Sequence, residues 1–207
     1  MKKPTLEQKL ENRQYRLMQP FEVVNNEEDS ADYMVEGYAM KFAPYPLYET
    51  EDGIVNEQFN REAFNGTDLS DVIFLYDHQG KVFARGSNGT LKITFDDIGM
   101  KIQADLSKSR AAKEMYDEIQ AGLVTKMSWG FRTGDYYFDD KTRTIVHNSI
   151  KKVYDVSAVG IPANNDTVIN ARKFVNGVID EFEAERLEVQ KRKKKLALKI
   201  EIEKELK

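Results

Sequence analysis

Thr90-Leu91-Lys92-Ile93-Thr94-Phe95-Asp96-Asp97-Ile98-Gly99-Met100-Lys101-Ile102-Gln103-Ala104-Asp105-Leu106 is the most regular passage in the 207-residue chain. Leu91, Ile93 and Phe95 alternate with polar residues, Asp96-Asp97-Ile98-Gly99 supplies turn residues, and Met100, Ile102, Ala104 and Leu106 alternate again. A period of two places every second side chain on one face, so the passage predicts an antiparallel hairpin with one buried face.

The pattern then changes. From Ser107 to Gly122 the apolar residues Ala111, Ala112, Met115, Ile119 and Leu123 take helical spacing, with serines available as N-caps and Gly122 suited to a left-handed C-terminal position. Strand character returns in Val124–Phe131, in Tyr136-Tyr137-Phe138 turning at Asp139–Thr142 into Arg143–Val146, and in Val153–Ile161 before Pro162. Upstream, Tyr33–Met40 reads as a first strand, followed by a loop broken by Pro44 and Pro46. Many short strands with turn signals and one interior helix predict a mainly β fold, an antiparallel barrel-like sheet with an inserted helix. Neither Gly-x-Gly-x-x-Gly nor a Walker-type loop occurs, so nothing points to a nucleotide.

Three regions follow: a polar, irregular N-terminal extension (1–32), a central domain (33–170) and a charged helical tail (171–207). Leu6 and Leu10 at i,i+4 are placed to seed a short helix in the extension. In the tail, Val175, Val178, Phe182, Val189 and Leu196 form a partial heptad, but Glu185 and Arg192 interrupt it and argue against a sustained coiled coil. Lys191-Arg192-Lys193-Lys194-Lys195 reads most simply as a solvated face. Both terminal regions are expected to be mobile and open to proteolysis.

Composition narrows the chemistry. Cysteine is absent, which removes disulfides, thiolate zinc sites and a cysteine nucleophile. The two histidines, His78 and His147, do not form a His-x-x-x-His pair, so a multi-histidine metal centre is not expected. The net charge of −4 divides unevenly: residues 171–207 carry 11 Lys/Arg against 8 Asp/Glu, and residues 1–170 carry 20 against 27. An acidic body argues against broad binding of nucleic acid, whose affinity comes from neutralised phosphates. With no apolar run of about 18 residues and no signal-like N-terminus, a soluble, intracellular protein that does not engage membranes is expected.

Three strand-like runs carry polar residues of catalytic type: Phe74-Leu75-Tyr76-Asp77-His78 ends in an imidazole, Lys126-Met127-Ser128-Trp129-Gly130-Phe131 holds a hydroxyl, and Val153-Tyr154-Asp155-Val156-Ser157 holds a carboxylate. Serine is a poor nucleophile until a neighbouring imidazole takes its proton, and a carboxylate on the other ring nitrogen fixes the tautomer. Asp77 competes with Asp155 for that last role, although neighbours on a strand face opposite sides. Gly130 and Arg132 are candidates for supporting the oxyanion. His147, in a loop-like polar stretch, reads as structural.

Asp77-His78, the Leu91–Leu106 hairpin, the helix ending at Gly122, Met127-Ser128-Trp129-Gly130-Phe131-Arg132, and Tyr154-Asp155-Val156-Ser157 followed by Pro162-Ala163 together resemble the prohead maturation proteases of tailed bacteriophages over about residues 33–172. That family shows an Asn/Asp-His pair after an apolar strand, a hairpin with an acidic turn and glycine, a helix, Ser-x-Gly-Phe, and an acidic-Val-Ser segment running into Pro-Ala. The resemblance implies a serine endopeptidase with a barrel like that of the herpesvirus assembly protease, needing no cofactor. It implies action in the host cytoplasm inside the assembling prohead, on the scaffold segment of the major capsid protein and on the chain itself, with self-association. Carried over by position, Ser128 would be the nucleophile, His78 the base and Asp155 the orienting acid, where the family more commonly has Glu. The alternatives are a non-catalytic capsid assembly factor and a hydrolase that pairs Asp155 with a second carboxylate.

Overall fold

The computed structural model describes residues 13–20, 22–23, 33–160 and 165–205, with the side chains of 17–23, 165–173 and 202–205 left aside. The helix expected around Leu6 and Leu10 lies outside the described residues. The strands are β1 (Gln14–Pro20), β2 (Glu22–Val23), β3 (Met34–Lys41), β4 (Tyr45–Thr50), β5 (Gly53–Phe59), β6 (Ile73–Tyr76) and β7 (Gln79–Arg85). They continue with β8 (Leu91–Phe95), β9 (Gly99–Asp105), β10 (Lys126–Thr133), β11 (Tyr136–Asp139), β12 (Thr144–His147) and β13 (Ile150–Val159). Two α-helices are described, α1 (Arg110–Gln120) and α2 (Asn165–Glu205).

The hairpin forms as its alternation predicts. Ile93 stands opposite Ile102 and Phe95 opposite Met100, and the Asp96 side chain closes the turn by accepting from the backbone N–H groups of Ile98 at 2.8 Å and Gly99 at 3.0 Å. Helix α1 is capped as expected: the Ala112 N–H donates to the Ser109 hydroxyl at 3.1 Å, and Gly122 past its end takes a φ of 72°. Its face of Ala112, Met115, Tyr116 and Ile119 is buried.

Three sheets form, with strand orders β1-β10-β13-β6-β7, β11-β12-β5-β4 and β2-β3-β9-β8. Most pairings are antiparallel, while β13–β6 and β12–β5 are parallel. Contrary to the barrel-like sheet expected from the sequence, no barrel closes: among the described residues each sheet is open. Helices lie against the terminal strands of the first two sheets, α1 beside β7 and α2 against β1, β4 and β11.

The main core lies between the sheets. Trp129 stacks on Phe131 with centroids 4.0 Å apart, and Phe59 meets Trp129 edge-on at 5.2 Å. A satellite cluster of Val55, Ile145, Val175 and Val178, flanked by Phe174 and Ile179, docks the start of α2 on the second sheet. Beyond it Leu187, Val189, Leu196, Leu198 and Ile200 are exposed, so the partial heptad seals only its first turns.

Gln14–Pro20, read from sequence as part of an irregular polar stretch, forms β1 in the central sheet beside β10. The reason is a charge match far away in the chain. Arg16, 2% exposed, donates from Nε to Glu57 Oε2 at 2.5 Å and from a terminal nitrogen to Oε1 at 2.8 Å. Glu57 also bonds the Tyr45 hydroxyl and His147 Nε2, the latter at 2.9 Å. His147 ends β12 and is fully buried, with Nδ1 2.7 Å from the Thr133 hydroxyl. It has the structural place expected of it, though in a strand and not a loop.

Candidate active site

The cross-strand register builds the site. Ser128 of β10 stands opposite Ser157 of β13, and Gly130 opposite Asp155. Directly paired residues share a face, and so do residues two apart, so Ser128, Gly130, Asp155 and Ser157 form one polar square. The intervening Trp129 and Val156 point into the core, with 0% exposure. A bulge follows at Tyr154, where Gly130 pairs with Asp155 but Phe131 pairs with Val153.

The imidazole arrives from a tight turn. Tyr76 pairs with Gln79, leaving Asp77 and His78 as a two-residue hairpin connection with φ of 45° and 60°. Two positive φ values are those of a type I′ turn, whose twist suits a hairpin but which costs non-glycine residues energy, and such strain gathers at functional sites. The turn is tied to the end of β13: the Asp77 N–H donates to the Ala158 carbonyl at 2.9 Å, and the Gly160 N–H to the Asp77 carboxylate at 3.3 Å. Asp77 is thus occupied in holding the turn, and the carboxylate in contact with the His78 ring is that of Asp155.

His78 Nε2 lies 2.7 Å from the Ser128 hydroxyl, and Nδ1 bonds Asp155 Oδ2. The other carboxylate oxygen of Asp155 accepts from the guanidinium of Arg13. The Ser157 hydroxyl donates to Oδ2 at 2.9 Å and lies 3.2 Å from His78 Nδ1. Asp155 is fully buried and Ser128 is 3% exposed. Burial, and after it the charge of Arg13, hold the imidazole down to about 4, so His78 is neutral near pH 7 and able to accept a proton.

Gly130 faces this cluster. A Cβ there would come within 2.6 Å of Asp155 Oδ1 and 3.1 Å of both Arg13 Nε and a Tyr15 ring carbon. Its missing side chain makes room for the carboxylate and its cation. Arg132 is exposed and lies about 13 Å along the strand from Ser128, where it lines a separate cleft with Lys151, Tyr136 and Phe174. The structure therefore brings His78, Ser128, Asp155 and Gly130 together and leaves Arg132 apart.

Sequence reasoning missed Arg13, Tyr15 and Ser157. Ser157 had a signal, since Asp155-Val156-Ser157 puts two polar residues on one face of a strand. Tyr15, whose ring lies 4.3 Å from that of His78, and Arg13 had none. Among the described residues no group of three or more His, Cys, Asp or Glu is arranged to hold a metal ion.

Comparison with known proteins places the chain in a family. Residues 19–179 match the caudovirus prohead serine proteases. The chain is also similar to a prohead protease of Escherichia phage T5, with 26% identity over 106 residues. That alignment covers 51% of this chain and 47% of the phage protein, so the chain spans about half the length of that relative. No solved structure gave a significant match. On the extent of the family match, the chain belongs to the caudovirus prohead serine protease family.

Proposed function

We propose that this protein is the serine endopeptidase of phage capsid maturation, acting inside the prohead on the scaffold segment of the major capsid protein and on the chain itself. The observation that carries the reading is the continuous chain of contacts from the Ser128 hydroxyl through both ring nitrogens of His78 to the buried Asp155. Family membership supports it independently.

In this mechanism the Ser128 oxygen attacks the scissile carbonyl carbon while its proton moves to His78 Nε2. The imidazolium keeps its Nδ1–H on Asp155, whose charge stabilises it. The C–N bond then breaks as His78 returns the proton to the departing amine, leaving an acyl-enzyme on Ser128. Water, deprotonated by the same imidazole, releases the acid and restores the serine.

The test is processing of the cognate capsid protein by the wild type and by Ser128→Ala, together with mass spectrometry of protein treated with a serine-directed phosphonate. Loss of processing and a single adduct on Ser128 are expected. Undiminished processing by Ser128→Ala would end the proposal.

A further inference from the structure

Asp155 is a buried carboxylate that receives a cation from outside the set of three. We propose that Arg13 is a positioning residue of this active site, gripping one oxygen of Asp155 so that the other is aimed at His78. The proposal rests on the reading of Ser128, His78 and Asp155 given above.

Four observations converge. Arg13 precedes β1, whose register sets Tyr15 opposite Gly130, so the strand delivers its first residues to the polar face of β10. The Arg13 guanidinium bonds Asp155 Oδ1, while Oδ2 serves His78 and Ser157, so the two oxygens have divided duties. Its orientation is fixed by aromatic faces, with its central carbon 4.5 Å from the Tyr154 ring centroid and 5.3 Å from that of Tyr15. The space it fills exists because residue 130 has no side chain.

The strand is also anchored independently of the site, through the buried Arg16–Glu57 pair. Movement of β1 would strand a buried carboxylate, so Arg13 is presented by a held element. Asp155 holds its carboxylate on a single methylene. A carboxylate on a short stem has less freedom to seek the imidazole, and a second contact from the far side compensates by fixing its plane.

The groups facing the imidazole are Asp155 and Ser157 from β13, Ser128 from β10, and Arg13 and Tyr15 from the β1 segment, with Tyr154 beyond Arg13. Among the described residues of this set Asp155 is the only carboxylate and Arg13 the only guanidinium, and the two are paired. With Arg13 removed, the full charge of Asp155 acts on the imidazolium, and protonated His78 becomes more favourable. The base would then be lost at a higher pH.

The experiment compares full-length wild type, Arg13→Gln, Arg13→Lys and Ser128→Ala. The pH profile of kcat/KM for a capsid-derived peptide is measured, and the His78 ring is titrated by NMR in the Ser128→Ala background with and without Arg13→Gln. Arg13→Gln should lower kcat at least tenfold with KM little changed, and should move both the acid limb and the NMR titration up by a pH unit or more. Arg13→Lys should recover part of both effects. An unchanged NMR titration, an unmoved acid limb, or a gain in activity in Arg13→Gln would overturn the role of Arg13. Persistent activity in Ser128→Ala would instead overturn the reading beneath it, so the two failures are distinguishable.

Discussion

Gly130 of β10 stands directly opposite Asp155 of β13, and a methyl group at Gly130 would lie 2.6 Å from the Asp155 carboxylate. The glycine of Ser-x-Gly-Phe therefore leaves room for the acid that faces the imidazole. Gly130→Ala must displace that carboxylate or Arg13, and a shift of about 1 Å at an active site can cost on the order of 100-fold in rate. We expect kcat/KM to fall by about 10- to 100-fold, with overpacking lowering stability by only about 1–3 kcal/mol. Peptide cleavage kinetics beside urea unfolding would check both; a variant with wild-type kinetics would show that the carboxylate has slack.

The low proton affinity of His78 predicts an acid-tolerant enzyme. A base that titrates near 4 instead of 6.5 stays neutral through the mildly acidic range, so the acid limb of kcat/KM should fall below pH 5. A pH–rate profile on a short peptide measures it directly. A midpoint near 6.5 would mean that the imidazole is more solvated than its burial suggests.

The same group makes stability depend on pH. His78 in the folded chain takes up its proton near 4, whereas in the unfolded chain it does so near 6.5. Between these values the unfolded state binds more protons, so stability falls as pH drops through this window, by about 3 kcal/mol in all. His78→Gln should flatten the slope there. Glu57, held down to about 2 against its own burial by Arg16 first and then His147, adds a loss of stability as pH falls below about 4.5. Urea midpoints measured from pH 7 to pH 3 would separate the two windows.

Arg16 and Glu57 should prove strongly coupled. Arg16→Met leaves Glu57 charged in a fully buried position, and breaking a buried pair by removing one partner costs about 3–5 kcal/mol. Since β1 also carries Tyr15 and follows Arg13, activity should fall with stability. Replacing both partners should cost less than the sum of the single changes, which a double-mutant cycle reads directly.

Helix α2 should divide into a docked start and a free remainder. Val178 is 3% exposed in the satellite core and Leu196 is 60% exposed. Val178→Asp buries an unpaired charge and should destabilise the chain by several kcal/mol, while Leu196→Asp should change stability by less than about 0.5 kcal/mol. Thermal unfolding of the two variants decides it; equal effects would mean that the distal helix also packs on something.

The amino-acid order alone determined the elements whose side chains report their own neighbours: the Leu91–Leu106 hairpin from its period of two, helix α1 with Ser109 and Gly122 at its ends, and the strands that carry Ser128 and Asp155. The residue types His78, Ser128 and Asp155, in their surrounding motifs, were also legible as a set. Tertiary structure alone decided that the sheets stay open, that Gln14–Pro20 is a strand, that His147 ends a buried strand, that Asp77 holds a turn, and that Arg132 lies away from the hydroxyl. The physical reason is the range of the interactions. Periodicity and capping act over a few residues, whereas Arg16 is buried by a carboxylate 41 residues away and Arg13 meets Asp155 across 142. Compensation of that kind leaves no trace in the local pattern until the chain has folded.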